Sequence, residues 1–390
     1  MVLTGTSGAG KTQIARLLCE LSDDFEKCKL LTTRPSREDD SGDYEYISEE
    51  EFLEKKAADL FLTDIKYRQE YYGILKDSIK VIIQTNKKIP ILTISPEAQK
   101  KLFEQSQGTN NDYLSFFIDA DNSTLERRLA SRDGYIPPDS SAQRESDRGL
   151  SSFTIYSLKN DGNINDIVQL IFELWQYRYS GGLLPKKLIS LFIKCGSLLT
   201  NAKMSKIEGA SYDLSLGEQF VQNGNIETLI DTRPFIILKP GDYAIVTSKE
   251  IANLPNDIAA RYDITVGLFA QGLILSNGPQ VDPGFKGSLL CLLFNTSNQE
   301  ISLKRDAHYA TIEFIKLLEP TTPYSGPHQN QEQIGQYFSR FPGIGEIVKM
   351  RSEINELKDY NLKYSKLPTI AAVISLIIAV IAMVMVLYTK

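Results

Sequence analysis

Histidine is nearly missing from this chain: His308 and His328 are the only two in 390 residues. A zinc deaminase of the His-x-Glu…Pro-Cys-x-x-Cys type needs a ligand set that these residues do not supply, so that chemistry is excluded. The four cysteines, Cys19, Cys28, Cys195 and Cys291, show no paired spacing. Without a disulfide framework the thiols read as reduced, as in a protein facing the cytosol. A basic excess is absent too, with 43 Lys and Arg against 49 Asp and Glu and a formal net charge of −6. A nucleic-acid surface requires a basic stripe, so nucleic acid is not an expected partner. No charged-then-apolar leader precedes the first apolar run at Val2, and no secretory signal is expected.

The chain has 42% hydrophobic and 24% charged residues, ordinary values for a globular protein with a sizeable core. Its length predicts roughly two to three domains. Residues 1–175 alternate short apolar strands (Val2 to Thr4, Val81 to Gln84, Pro90 to Ile94, Leu114 to Asp119) with amphipathic stretches, the signature of an α/β domain with a mostly parallel sheet. Residues 177–182 read as a linker and Pro185 to Leu199 as a helix. Between about 205 and 318 short β-rich runs are punctuated at Pro240-Gly241-Asp242, Asn277-Gly278-Pro279 and Asp282-Pro283-Gly284, which predicts an all-β sandwich or barrel.

Residues 321–343 have the composition of an extended arm. In 344–366, Ile347, Met350, Ile354 and Leu357 recur at three- and four-residue steps, as in a short coiled coil or a single amphipathic stalk helix. From Ile370 to Tyr388 there is no charge. As a helix this run would span about 28 Å, close to the ~30 Å of a bilayer's hydrocarbon core. Residues 367–390 are therefore expected to form a C-terminal transmembrane anchor. Lys363 and Lys366 on its upstream side place the preceding domains in the cytoplasm.

Gly5-Thr6-Ser7-Gly8-Ala9-Gly10-Lys11-Thr12 satisfies G-x-x-x-x-G-K-[ST] between a strand and a helical pattern. Such a loop turns backbone N–H groups, from Gly5, Ser7, Gly8, Ala9 and Gly10 onward, around phosphate oxygens at a helix N-terminus. Lys11 then reaches the β- and γ-phosphates, and the Thr12 hydroxyl is the expected Mg²⁺ ligand. Thr32-Thr33-Arg34-Pro35-Ser36-Arg37, Gly42 to Ser48, Glu51-Phe52, Tyr71-Tyr72-Gly73 and Leu125 to Arg132 with Arg144 follow in order.

Together these motifs resemble the guanylate kinases over about 1–175. The resemblance implies transfer of the γ-phosphoryl of ATP, with Mg²⁺, to a nucleoside monophosphate. It implies that Arg34, Arg37, Tyr44 and Tyr72 hold the acceptor phosphate, and that Lys11, Arg128, Arg132 and Arg144 act on the transferring group. Phosphoryl transfer depends mainly on positioning and charge stabilisation, which these residue types supply. The family reads guanine with two acidic groups and small hydroxyl residues. Here those positions are Thr63 (or Asp64 after a one-residue shift), the strand Leu92-Thr93-Ile94-Ser95, Ile74 and Leu30. The phosphate apparatus is kept and the guanine reader is not.

Ala210 to Gly217, Pro240-Gly241-Asp242, Leu254-Pro255-Asn256-Asp257, Val281 to Gly287 and Tyr324-Ser325-Gly326 with Gln329 and Gln331 resemble the dCTP deaminases over about 183–340. The resemblance implies the distorted β-barrel shared with dUTPases over 183–320. It also implies a trimer with sites between subunits, and a pocket containing Asp213, Asp282 and Phe285. Leu292 falls where the deaminase has its glutamate, and leucine cannot carry protons. Ile264 to Ala270 replaces the family's Arg- and Ser-bearing stretch, and Gln280 replaces a second arginine. Asp282 remains, either as a water-activating carboxylate or as the residue that opens an Asp-Pro-Gly turn.

The expected architecture is thus a P-loop α/β domain with a parallel sheet, an all-β dUTPase-like barrel and one C-terminal membrane helix. Three functions fit: a membrane-anchored monophosphate kinase, a nucleotide-sensing membrane protein, and a protein-binding scaffold.

Overall fold

A computed structural model describes residues 1–36, 42–67, 69–106, 113–133 and 140–338. A five-stranded sheet forms the middle of the first domain, in the order Phe25–Lys27, Ile89–Thr93, Val2–Gly5, Ser115–Asp119, Tyr156–Lys159. All four pairings are parallel. The strands Val2–Gly5 and Ser115–Asp119 are buried at every position, as continuous apolar runs covered by helices on both faces must be.

Local chemistry sets the helices around it. Helix Lys11–Leu21 starts from Gly10 in the left-handed region and buries Ile14, Ala15 and Leu18. Ser48 caps helix Glu49–Ala57 by accepting from Glu51 N–H. Three glutamates in its first turn and Lys55 and Lys56 in its last complement the helix dipole. Ser95 caps Pro96–Gln105 in the same way, with proline in the first turn. A smaller four-stranded sheet, ordered Tyr44–Tyr46, Leu30–Thr32, Glu70–Leu75, Phe61–Tyr67, stands beside the main one.

The second domain is β-rich. Ser211–Gln222, Tyr243–Asn253, Lys286–Asn295 and His308–Lys316 form the body of a nine-stranded sheet, and Phe235–Leu238 pairs with Ile301–Lys304. Ile301–Lys304 alternates buried and exposed residues, the pattern of a sheet with one wet face.

One cluster of buried residues runs through both domains, from Leu3 and Phe116 through Tyr156 and Phe192 to Leu214 and Phe314. Polar links cross the same junction. Tyr156 Oη donates to Asp257, and Lys316 Nζ lies 3.5 Å from that carboxylate, all three residues being buried. Burial pushes the Asp257 carboxyl up, while hydrogen bonds from Tyr156 and Lys316 oppose the shift. Asn256 Nδ2 donates to the Thr154 carbonyl at 3.1 Å and Lys159 N–H to the Cys195 carbonyl at 2.7 Å.

Three expectations about local structure need correction. Val81–Thr85 is a π-helical continuation of helix Lys76–Lys80 and not a strand. Only Ile82 is buried there, while Val81 and Ile83 are each 51% exposed, so the β-branched run has no sheet to enter. The helix expected from Pro185 to Leu199 covers Lys186–Lys194 and gives way to strand Leu198–Thr200. The linker ends in a short strand, with Gly182 paired to Lys316 and Leu183 to Ile315.

The expected stalk at 344–366 and membrane anchor at 367–390 lie outside the described residues, and the arm is described as far as 338. Among the described residues no helix is long and apolar enough to cross a membrane.

Candidate functional site

The phosphate loop sits at the C-terminal end of the central strand. Gly5, Gly8 and Gly10 adopt φ of 128°, 86° and 95°. A Cβ at Gly5 would lie 1.9 Å from the Ile118 carbonyl oxygen, and one at Gly10 would lie 2.7 Å from Asn160 Nδ2. Both positions thus require glycine on two counts, conformation and space. Lys11 Nζ crosses the loop and donates to the Gly5 and Thr6 carbonyls, each at 2.8 Å. Ser7 and Thr12 are exposed, and Ala9 is buried. The Thr12 hydroxyl has no protein hydrogen-bond partner among the described residues. A Mg²⁺ ion carried in with nucleotide phosphates needs few protein ligands, so one free hydroxyl at the helix start fits it.

The arginines come from helices Asn122–Asp133 and Ser140–Gly149. Arg128 Nη2 donates to the Asn160 carbonyl at 2.8 Å, and Arg144 Nη2 meets Glu126 Oε1 at 2.9 Å. Arg128 Nη1 and Arg144 Nε and Nη1 are buried with no partner among the described residues. Buried guanidinium donors left unpaired are costly. A polyanion meets that need, so these residues fit the phosphates of ATP. Arg132 belongs to helix Asn122–Asp133, and its side chain lies outside the described set.

Three residues that sequence reasoning did not select hold this arrangement. Asn160, which is 2% exposed, donates from Nδ2 to the Ala9 carbonyl at 2.8 Å and from its N–H to the Asp119 carbonyl at 2.7 Å. Thr6 Oγ1 donates to Asp119 Oδ1 at 2.9 Å, and Arg148 Nε donates to Asp119 Oδ2 at 2.8 Å. The hydrogen bond to Asp119 raises the Arg148 pKa, against the effect of burial. Asp119 therefore joins the phosphate loop to the helix that carries Arg144. The available signal was a carboxylate ending the apolar run Phe116-Phe117-Ile118.

On the acceptor side the small sheet brings two expected residues together. The Arg34 guanidinium lies 4.5 Å from the centre of the Tyr44 ring, and its Nη1 donates to the Pro35 carbonyl at 2.9 Å. Tyr72 stands on the neighbouring strand, in register with Thr32. Arg37 lies outside the described residues.

The base-reading positions are built differently. Leu30, Ile74, Leu92 and Ile94 belong to one buried apolar cluster, with Ile74 0% exposed. Thr63 Oγ1 donates to the Ala98 carbonyl at 3.1 Å, and Ser95 caps a helix. Asp64 is bridged by Lys56 at 2.7 Å and by Lys101 at closer range. Burial alone would raise its pKa, but the hydrogen bonds from Lys101 and Lys56 bring it below the ordinary carboxylate value. None of these side chains presents a free carboxylate to a guanine edge.

In the second domain Asp213 Oδ1 lies 3.1 Å from His308 Nε2 and accepts from Thr311 at 3.4 Å. Asp282 Oδ1 accepts from Gln280 Nε2 at 2.8 Å, and the Asp282 carbonyl accepts from Phe285 N–H at 3.1 Å. Phe285 is buried and meets the Tyr324 ring edge-on at 5.5 Å. Asp282 and Phe285 thus share one turn, whereas Asp213 has separate partners. Leu292 sits in strand Lys286–Asn295 opposite Ile245 and packs on the cluster of Val221, Ile245 and Ile334.

Comparison with known proteins assigns the two regions separately. A guanylate kinase family model matches residues 1–144, and a dCTP deaminase-like model matches residues 186–317. The guanylate kinase of Clostridium perfringens is 30% identical over 178 residues, covering 44% of this chain and 79% of that protein. The dCTP deaminase of Pyrococcus horikoshii is 31% identical over 129 residues, covering 33% of this chain and 81% of that protein. That of Thermococcus kodakarensis is 34% identical over 129 residues and 82% of its length. Among solved structures, Anaplasma phagocytophilum guanylate kinase aligns at 19% identity and a TM-score of 0.35, over 45% of this chain and 84% of its own. Agrobacterium tumefaciens 2′-deoxycytidine 5′-triphosphate deaminase aligns at 17% identity and a TM-score of 0.32, over 35% of this chain and 49% of its own.

Proposed function

This chain belongs to the guanylate kinase family over its first domain and to the dCTP deaminase family over its second, and on that footing we propose that it is a membrane-anchored, ATP-dependent nucleoside monophosphate kinase whose acceptor is not selected as guanine. The observation that carries the reading is the set of buried, unpartnered nitrogens on Arg128 and Arg144 beside a complete phosphate loop. In the reaction the bond from the γ-phosphorus to the β–γ bridging oxygen breaks, and one forms to a phosphate oxygen of the acceptor. Backbone N–H groups of Gly8 to Lys11 cradle the donor phosphates and Lys11 counters charge on them. Arg128 and Arg144 face the group in transit, and Arg34, Tyr44 and Tyr72, with Arg37, hold the acceptor phosphate. Thr12 would hold a Mg²⁺ ion that arrives with the nucleotide, and the ion would supply charge neutralisation to the phosphates.

The β domain is read as a nucleotide-sensing or trimerising module without deaminase activity, because Leu292 stands at the glutamate position and is packed into apolar surroundings. The charge-free run from Ile370 to Tyr388 supports the anchor, with the domains on the cytoplasmic side.

A second reading, a nucleotide-sensing membrane effector without metabolic turnover, is favoured by the packed base-reading positions. Incubation of the full chain with ATP, Mg²⁺ and each common nucleoside or deoxynucleoside monophosphate separates them. Acceptor-dependent ADP release that Lys11→Ala abolishes supports the kinase. ATP binding with no transfer to any acceptor supports the effector.

A further inference from the structure

A cleft of about 470 Å³ opens where the two domains meet. Its walls come from three groups of residues: Ser151 to Ser157 after helix Ser140–Gly149, Ser197 with the loop Asn253 to Asn256, and Gly284 with the arm from Pro323 to Gln329. The first group belongs to the kinase-like domain and the other two to the β domain, so neither domain forms the cleft alone.

The walls are already fixed. Asn253 Nδ2 donates to the Gly196 carbonyl at 2.8 Å and Asn256 Nδ2 to the Thr154 carbonyl at 3.1 Å. Gln329 spans the Gly284 carbonyl and Lys286 N–H, each at 2.9 Å. Five serines that line the cleft differ from these amides. Ser151, Ser152, Ser157, Ser197 and Ser325 make no side-chain hydrogen bond to protein among the described residues. Each hydroxyl can both donate and accept. Leu254, Pro255 and the Tyr324 ring supply apolar lining, and no charged side chain lines the cleft.

We propose that this interdomain cleft is a binding site for a neutral nucleoside, separate from the phosphate loop. The volume falls within the roughly 300–1,000 Å³ typical of small-molecule pockets. The apolar surface and tyrosine ring suit a planar base. The serine hydroxyls suit sugar hydroxyls and base edges, which themselves present donors and acceptors side by side. A phosphate dianion would lose its hydration without gaining a counter-charge, so the cleft discriminates against nucleotides. Pre-bonded walls lower the ordering cost of binding. The inference does not rest on phosphoryl transfer by the first domain.

The test titrates the full chain with the four common ribonucleosides and four deoxynucleosides, and with their 5′-monophosphates, in the presence of saturating ATP. At least one nucleoside is expected to bind with one site per chain, undisturbed by ATP and by Lys11→Ala, and its monophosphate is expected to displace it at least tenfold more weakly than unlabelled nucleoside does. Ser157→Trp and Ser325→Trp, both at exposed positions, should each weaken that binding at least tenfold while ATP binding, the control for folding, persists. The proposal is overturned if none of the eight nucleosides binds at millimolar concentration. It is equally overturned if ATP displaces the bound nucleoside, if the monophosphate displaces it as well as unlabelled nucleoside does, or if both tryptophan variants bind like the parent.

Discussion

The two nucleotide-family regions differ in what their polar groups are doing. Around the phosphate loop, Arg128 and Arg144 keep buried nitrogens with no protein partner. In the β domain the carboxylates Asp213, Asp282 and Glu250 have side-chain partners: Asp213 with His308 and Thr311, Asp282 with Gln280, and Glu250 with Ser215 and Tyr212. Leaving a buried donor unpaired costs about 1–3 kcal/mol, more for a charged group. Carrying this cost on two guanidinium groups, Arg128 and Arg144, fits a polyanionic ligand at that site. The same contrast recurs within the first domain, where the phosphate end keeps unpaired guanidinium nitrogens and the base-reading end is packed with Leu30, Ile74, Leu92 and Ile94.

The contrast breaks most visibly at Lys11. Lys11→Ala is expected to lower acceptor-dependent ADP release by about a thousandfold, the upper range for loss of one transition-state donor, as measured by steady-state kinetics. Arg144→Met should lower it by about a hundredfold, yet leave the melting temperature of the nucleotide-free protein unchanged or raised, because a buried, half-satisfied cation is removed. A fall in stability as large as the fall in activity would show that Arg144 is structural.

Glu250→Ala should give the opposite signature. Glu250 is 1% exposed and accepts from Ser215 N–H at 2.8 Å, Ser215 Oγ at 2.6 Å and Tyr212 Oη at 3.1 Å. Its loss should cost about 1–3 kcal/mol of stability in chemical denaturation with no change in ATP affinity.

Asp64 gives a smaller, pH-dependent effect. Its pKa is lowered in the fold by Lys101 and Lys56, against burial. Its stabilising contribution is therefore complete above the unfolded value near 4 and is lost as pH falls through the lower folded value. Asp64→Asn should flatten the acid limb of the melting-temperature profile below about pH 4. Asp282→Asn should do least, within about 0.5 kcal/mol in stability and with no dCTP deamination in either protein.

Legibility in the sequence followed the range of the interactions. The phosphate loop could be read because its glycines answer to local backbone geometry, and the β domain because its turns are punctuated by proline and glycine. Asn160 could not be read as part of the loop, since it meets Ala9 across 151 residues of sequence, brought there by the pairing of strands Val2–Gly5, Ser115–Asp119 and Tyr156–Lys159. Asp64 looked available as an acid until Lys56 and Lys101 converged on it from two helices. Val81 to Gln84 resembled a strand because β-branched residues favour both extended chain and apolar surroundings; the structure places them on a helix with two of the three aliphatic side chains exposed.

The central claim is that the aimed cations of the first domain serve phosphoryl transfer between nucleotides. Its most direct test is ADP release from ATP and Mg²⁺ by the full chain across a panel of nucleoside and deoxynucleoside monophosphates. The account predicts release that depends on at least one acceptor, does not favour GMP, and disappears in Lys11→Ala. Absence of acceptor-dependent release across the whole panel, or a strict preference for GMP, would contradict it.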